Sequence, residues 1–251
     1  MIAKILIDNI TKNDLICEWG LSFYIEYNGH KILLDTGASG NFAENAKQMG
    51  IHLDEIEHGV LSHAHYDHAD GMPTFFEENK TAKFYLRKGA GENCYGKKNF
   101  FMYKYNGIQE GILGNYAERI EYVEGDYKLL EGVYLIPHKV QGLEAIAKKA
   151  SLFVKENGKM FPDDFAHEHS LVFDTPKGLV VFNSCSHGGV DNIITEVLAT
   201  FPEKEICAYI GGLHLYKATE EDVRALAKRT KETGITKIIT GHCTGDEAFA
   251  I

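Results

Sequence analysis

The sequence predicts an α/β chain in which two β-sheets pack face to face with helices on their outer sides. Three observations carry this reading. Two β-rich blocks, one in the first 35 residues and one around 169–187, are each followed by alternating helices and strands, and the strand ends in both blocks carry histidines. No short-period repeat, low-complexity tract or linker divides the 251 residues, so they read as one domain spanning 1–251.

The first block reads as strands "AKILID", "LSFYIEY" and "KILLD", the last two joined by Asn28-Gly29, a strong hairpin signal between β-rich runs. After "TGASG", the segment "NFAENAKQMG" predicts a helix with Asn41 as N-cap and Gly50 as its stop. "IEHGVLSH" is the next strand, and a helix follows near "ADGMPTFFEENK". The segment from about 83 to 120 is the least regular, mixing glycine, lysine and aromatics, and is expected to cover substrate. "GVYLIP" then resumes β-like sequence, and "HSLVFDT", "PKG" and "LVVFNSCSH" form a strand, turn and strand. Helix "DNIITEVLATF", strand "EICAYIGG", helix "TEEDVRALAKRTKETG" and strand "ITKIITGH" complete the second half. Thr219 is the expected N-cap of the last of these helices, Asp222 stands three residues on, and Gly234 ends it.

Composition narrows the function classes. Hydrophobic residues make up 44% and charged residues 25%, as in a globular chain with a substantial core. A net charge of −10 gives no broad footprint for duplex nucleic acid or an anionic membrane. Lys4 and Asp8 interrupt the apolar amino-terminal stretch, so no membrane helix is expected and the protein reads as cytoplasmic. The five cysteines are scattered, odd in number and without a C-x-x-C, which argues against a disulfide framework or a zinc ribbon.

The chemistry concentrates in "LSHAHYDHADGM", residues 61–72. His63 and His65 stand two apart at a strand end, where an extended backbone points both to one side, and Asp67 and His68 follow as the chain turns into a helix. Four ligand-type residues in six positions can serve two adjacent metals, and this constellation arises by chance on the order of 0.002 times per chain.

These residues match the H-x-H-x-D-H signature of the metallo-β-lactamase superfamily, which the sequence resembles. "LLDTG" at 33–37 is similar to its first motif and "TGHCTG" at 240–245 to its last. Within it, "SCSHGGVDNI", "IGGLHL" and "TGHCTG" resemble the branch of dihydropterin-(ribofuranosyl)aminobenzene phosphate synthases. The resemblance implies a four-layer αβ/βα sandwich and metal ligands at His63, His65, Asp67, His68 and His242. Asp35 is then expected to orient the ligand loop from behind.

The second half departs from the usual pattern, because a cysteine stands where a bridging aspartate is expected after "GLVVFNS". His187 is the expected missing histidine ligand, with His167 and His169 as competitors, and Asp163 and Asp164 read as a solvated turn. Cys185 is a candidate thiolate ligand that would favour zinc over magnesium. His214 in "GGLHLY" is expected to contact substrate or transition-state oxygens. His30, His52, His58 and His138 read as surface or core fillers.

The expectation is therefore a hydrolase in which two divalent ions, zinc first and iron, manganese or magnesium next, activate a bound water against a phosphorylated or acyl small molecule. Asp67 would orient that water and His214 would stabilise developing charge. The alternative is a dihydropteroate-synthase-like transferase joining a pterin pyrophosphate to an aminobenzene ribofuranosyl phosphate. In "KFYLRKGAGENCYGKKNFFMYKYNG", Lys83, Arg87, Lys88, Lys97, Lys98 and Lys104 alternate with Tyr85, Tyr95, Phe100, Phe101 and Tyr103, a grammar suited to phosphate and a planar ring. Single-strand nuclease activity and a non-catalytic metal-binding module are the rival readings, and nothing in the sequence sets the oligomeric state.

Overall fold

The computed structural model describes residues 1–11, 13–99 and 101–251. One sheet contains β1 (Ile2–Ile7), β2 (Ser22–Tyr27), β3 (His30–Leu34), β4 (His58–Val60), β5 (Lys83–Arg87) and β8 (Ile120–Val123), in that spatial order. The second contains β9 (Tyr127–Leu130), β10 (Val133–Pro137), β13 (His169–Thr175), β14 (Gly178–Phe182), β15 (Ile206–Ile210) and β16 (Ile238–Ile239). Each sheet begins as antiparallel hairpins and ends in parallel pairs, β3-β4-β5-β8 in one and β14-β15-β16 in the other. Asn28 and Gly29 both take positive φ, 51° and 86°, as a two-residue hairpin turn between twisted strands requires.

Alternation along the strands builds the layers. Phe23 and Ile25 of β2, Ile32 and Leu34 of β3, Leu171 and Phe173 of β13, and Val180 and Phe182 of β14 meet in one core between the sheets. The intervening residues face outward: Tyr24 and Leu33 pack with Phe42, Ala46, Phe75 and Phe76 of α1 (Asn41–Gln48) and α3 (Met72–Glu78). On the other side, Val172, Leu179 and Val181 pack with Ile193, Ile194 and Val197 of α6 (Val190–Thr200), and Leu226 of α7 (Glu220–Glu232) packs against the same cluster. The result is the αβ/βα sandwich that the sequence predicts.

The middle segment departs from the expectation of irregular chain. Its first residues are β5, inside the main sheet. Beyond them, β6 (Cys94–Asn99) and β7 (Met102–Tyr105) join β11 (Leu152–Glu156) and β12 (Lys159–Pro162) in a four-stranded sheet. Its residues are mostly half-buried or exposed, so the strands lack the apolar alternation that marks a sheet packed on a core. Four short helices complete the described chain: α2 (Tyr66–Ala69), α4 (Ile112–Asn115), α5 (Glu144–Ala150) and α8 (Asp246–Ala250).

Helix ends follow local chemistry with one correction. Thr219 caps α7 by accepting from the Asp222 backbone N–H at 3.3 Å, and Gly234 takes φ 83° just beyond it. At α1, however, Gly40 stands at the N-cap without a side-chain cap, and Asn41 lies in the first turn. Asn41 Nδ2 instead donates to Glu18 Oε2 at 2.7 Å, because Glu18 already gathers Ala38 N–H and the Ser39 hydroxyl there.

Phe182 is fully buried and meets Phe23 and Phe173 edge-on at centroid distances of 5.5 and 5.7 Å, one ring from each sheet and one neighbour. Phe182→Ala should therefore destabilise the fold by about 3–5 kcal/mol, read as a lowered urea midpoint at unchanged m-value. A loss below about 1 kcal/mol would mean that the inter-sheet core is not packed as described.

Candidate metal centre

The site is built at the ends of β3, β4, β14, β15 and β16, where loops from both sheets converge. Asp35 ends β3 with φ 60° and is fully buried. Its carboxylate accepts from Ser62 N–H at 2.7 Å, from the Ser62 hydroxyl at 2.7 Å and from His68 Nδ1 at 2.8 Å. The Ser62 oxygen, having given its proton to Asp35, accepts from His63 Nδ1 at 2.8 Å. His242 Nδ1 lies 3.0 Å from Asn9 Oδ1 and donates to it. Three imidazoles are thus held by Nδ1, which fixes the tautomer and leaves Nε2 as the ligating atom.

These ring atoms gather into adjoining sets. His63, His65 and His187 bring their donor atoms within 4.8 Å of one another, with ring centroids 4.7 to 4.8 Å apart on each side of the triangle. Asp67, His68 and His242 form a second set of the same tightness, and Cys185 groups with His63 and His68 between the two. Cys185 Sγ is 3.3 Å from His68 Nε2. All seven side chains are buried. Nε2 of His63, His65, His187 and His242 has no hydrogen-bond partner among the described residues. Buried donors without partners are costly, and a cation would satisfy them together, so the donor set fits divalent metal.

Electrostatics agree with that fit. Burial, reinforced by neighbouring imidazoles, pushes His63 and His187 well below the ordinary value, and burial takes His65 down to about 3. Neutral imidazole is the form that ligates. Burial alone would raise Asp67, but His68 and His242 outweigh it and hold the carboxyl below the usual range. Burial opposes charge on His242, yet Asp67, 3.6 Å from its Nε2, raises it to about 9, so a cation there displaces a proton.

His214 takes φ 49° and puts its ring 4.2 Å from that of His187. Burial lowers it to about 4, and its Nδ1 has no partner among the described residues. Trp19 and Tyr216, 42% and 40% exposed, meet edge-on at 5.1 Å on the outer side, with Trp19 5.6 Å from the His242 ring.

Several residues stand elsewhere than the sequence suggests. His167 has both nitrogens engaged, by Ala64 N–H at 3.2 Å and Asp163 at 3.0 Å, behind the ligand loop, where its donor atom also lies within 4.8 Å of those of His65, Cys94 and Asp163, a further group able to hold a metal ion. His169, at the start of β13, is in neither donor set. Asp163 is fully buried rather than solvated, because it accepts from both His167 and Phe165 N–H, whereas Asp164 is exposed. His138 is no filler. It lies between two buried carboxylates, 2.6 Å from Glu168 and 3.0 Å from Glu196, and Glu168 also accepts from the backbone N–H groups of His187 and Gly188. A Cβ at Gly188 would come within 2.3 Å of the His138 ring, so glycine is required there. The other three read as fillers lie apart: His30 is paired with Glu57, His52 is exposed and His58 is half-buried.

The basic aromatic segment is divided. Lys83 pairs with Glu121 at 2.9 Å and Lys88 with Glu124 on the main sheet. Tyr95, Tyr103 and Tyr105 instead lie on the four-stranded sheet, tied to the ligand loop where Tyr66 N–H donates to Asn106 O at 3.1 Å. Phe100 lies outside the described residues. Cys243 is marked in the sequence by its place beside His242, whereas Asn9, Ser62, Glu168, Glu196, Trp19 and Tyr216 join the site without having been singled out there. Only "HEHS", with Glu168 between two histidines, carried a local signal.

Residues 20–147 match the family model of the metallo-beta-lactamase superfamily. The 7,8-dihydropterin-6-methyl-4-(beta-D-ribofuranosyl)-aminobenzene-5'-phosphate synthase of Methanocaldococcus jannaschii is 31% identical, over 91% of this chain and 82% of its own length. The uncharacterized protein MJ0448 of the same organism is 26% identical over 98% of this chain and 91% of its own. The crystal structure of Tm1679, described as a metal-dependent hydrolase of the beta-lactamase superfamily, superposes with a TM-score of 0.84 at 29% identity, covering 99% of this chain and 90% of that one.

Asp35→Asn removes the charge that holds His68 and Ser62 and should weaken zinc binding about 10–100-fold in a chelator competition. Wild-type affinity would show that Asp35 does not orient the ligands. The two carboxylates around His138 overcome its burial and raise it to about 9. A raised folded value means stability fully present below the ordinary 6.5 and lost as pH rises through about 9. The urea midpoint should fall across that window, and Glu196→Gln, with one carboxylate fewer, should move the fall to lower pH.

Proposed function

The chain belongs to the metallo-β-lactamase superfamily, and from that membership we propose that it is a binuclear metal-dependent hydrolase acting on a phosphorylated or acyl small molecule. The observation that carries the proposal is the pair of adjoining donor sets with unpartnered, buried Nε2 atoms. His63, His65 and His187 would hold one ion; Asp67, His68 and His242, with Cys185 beside them, would hold the other. Imidazole and thiolate donors favour zinc ahead of iron or manganese, and magnesium least.

Divalent ions held there would supply polarisation of a phosphoryl or acyl centre and a water acidified to near neutrality. The chain's own groups direct that chemistry. Asp67, charged and buried, accepts a hydrogen bond from the attacking water and fixes its direction. Neutral His214, beside His187 with an unpartnered Nδ1, supplies a hydrogen bond to a substrate oxygen or the leaving group. His138 and Glu168 keep the His187 loop in place. Asp35 and Ser62 keep His63 and His68 aimed.

A second reading has its own support in the 31% identical relative named as a pterin-related synthase and in the exposed aromatic pair Trp19 and Tyr216 beside the site. In it the chain is a transferase: an arylamine nitrogen attacks the methylene of a pterin pyrophosphate, the carbon–oxygen bond breaks, pyrophosphate departs and the amine loses a proton. Under either reading the partner is a small molecule rather than duplex nucleic acid or a membrane, in keeping with the charge of −10. No helix among the described residues is long and apolar enough to cross a membrane, and with its five unpaired cysteines we place the protein in the cytoplasm.

Metal analysis of freshly purified protein should find about two equivalents of zinc-type ions per chain. Phosphoester, thioester and pterin-pyrophosphate-plus-arylamine assays should then show turnover, which His65→Ala reduces to background together with its metal. Amine-dependent release of pyrophosphate would select the transferase. Stoichiometric metal without turnover on any of these substrates would make the chain a metal-binding module, and a fully active His65→Ala would remove the site assignment.

A further inference from the structure

Cys243 stands next to His242, yet neither the ligand motif nor the mechanism uses it. Its sulfur lies 3.4 Å from that of Cys185. The two cysteines come from loops following β14 and β16, which flank β15 in one sheet, and both are buried and free. The donor atoms of Cys185, Cys243 and His242 lie within 4.8 Å of one another. We infer that the second metal position carries two sulfur donors, Cys185 and Cys243, and therefore takes a thiophilic divalent cation, zinc in preference to magnesium or manganese.

Three features beyond proximity support this. The backbone N–H of His214 donates to Cys243 Sγ at 3.3 Å, a contact that favours thiolate over thiol. A Cβ at Gly212 would sit 2.4 Å from Cys243 Sγ, so the neighbouring chain leaves space for this sulfur only because that residue is glycine. Cys185 Sγ, 3.3 Å from His68 Nε2, links the sulfur pair to the remaining donors of the position. On binding, each thiol gives its proton to solvent and each sulfur forms one bond to the ion. Soft sulfur selects against the hard cations that oxygen-rich sites prefer.

The inference rests on the metal-centre reading above, and one preparation tests the two separately. The metal-free chain is loaded with zinc, its metal content measured and its zinc-edge X-ray absorption recorded. Two zinc–sulfur bonds per chain, near 2.3 Å, are expected. One sulfur or none, with zinc bound, overturns the two-sulfur assignment and leaves the metal centre standing; no retained zinc overturns both. With cobalt in place of zinc, the thiolate charge-transfer band should fall to about half in Cys185→Ser and in Cys243→Ser and vanish in the double variant. An undiminished band in Cys243→Ser would show that its sulfur is not a ligand. Should a serine variant not fold, the sulfur count of the wild-type holoprotein decides alone.

Discussion

The site depends on one buried charge. Asp35 has no exposed surface, and a carboxylate so placed is tolerable only when its oxygens are satisfied by donors. The three that satisfy it come from Ser62 and His68, on the loop leaving β4. The parallel pairing of β3 with β4 brings those donors to it, and Asp35 N–H bonding to Val60 O at 2.8 Å continues that ladder into the loop. Moving either strand by one residue would strand the carboxylate and turn His63 and His68 away from each other. The sheet register and the donor geometry are therefore one constraint, and the core between the sheets serves the site by holding that register.

A second buried charge does the same for the other half. The His187 loop leaves β14 with Ser184 O accepting from Gly212 N–H at 2.8 Å. It is held by Glu168, whose carboxylate accepts two consecutive backbone N–H groups and is neutralised by His138. Both arrangements spend charged side chains on aiming neutral imidazoles. That division fits the needs of a metal ligand, which must present a lone pair, while its support must hold a fixed direction. Left unpartnered, the converging Nε2 atoms would be a net cost to the fold. A cation turns that cost into binding energy.

What the sequence made legible follows the range of the interaction involved. His63, His65, Asp67 and His68 lie within six residues beyond one strand end, so spacing alone places them together, and Asp35 was legible through "LLDTG", the stretch similar to the superfamily's first motif. The layered fold was legible because two β-rich blocks are each followed by alternating helices and strands. Asn9 holds His242 across 233 positions, and no local pattern records that. His138, Glu168 and Glu196 are scattered over two loops and α6, and only the fold brings them together and removes the water. The four-stranded sheet was hidden for the opposite reason: a half-exposed sheet imposes no periodicity on its residues.

The ligands alone do not choose between the two proposed reactions, hydrolysis and group transfer, because both would use the same cations beside a phosphorylated carbon or phosphorus centre. The choice lies with whatever nucleophile the space above the ions admits. Water needs no recognition beyond Asp67, whereas an arylamine needs an apolar wall to hold its ring and a route for its proton. Trp19 and Tyr216 offer such a wall beside His242, and the His214 ring, kept neutral by burial, lies 5.4 Å from that of Tyr216. Two chain segments far apart in sequence contribute these three, His214 and Tyr216 from one and Trp19 from the other, with Trp19 tied to the centre through Leu21 N–H bonding to Asp67 O at 3.1 Å. On the proposed reading, specificity would be set by residues outside the metal motif, and changes at Trp19, His214 or Tyr216 would redirect the reaction while leaving the donor sets intact.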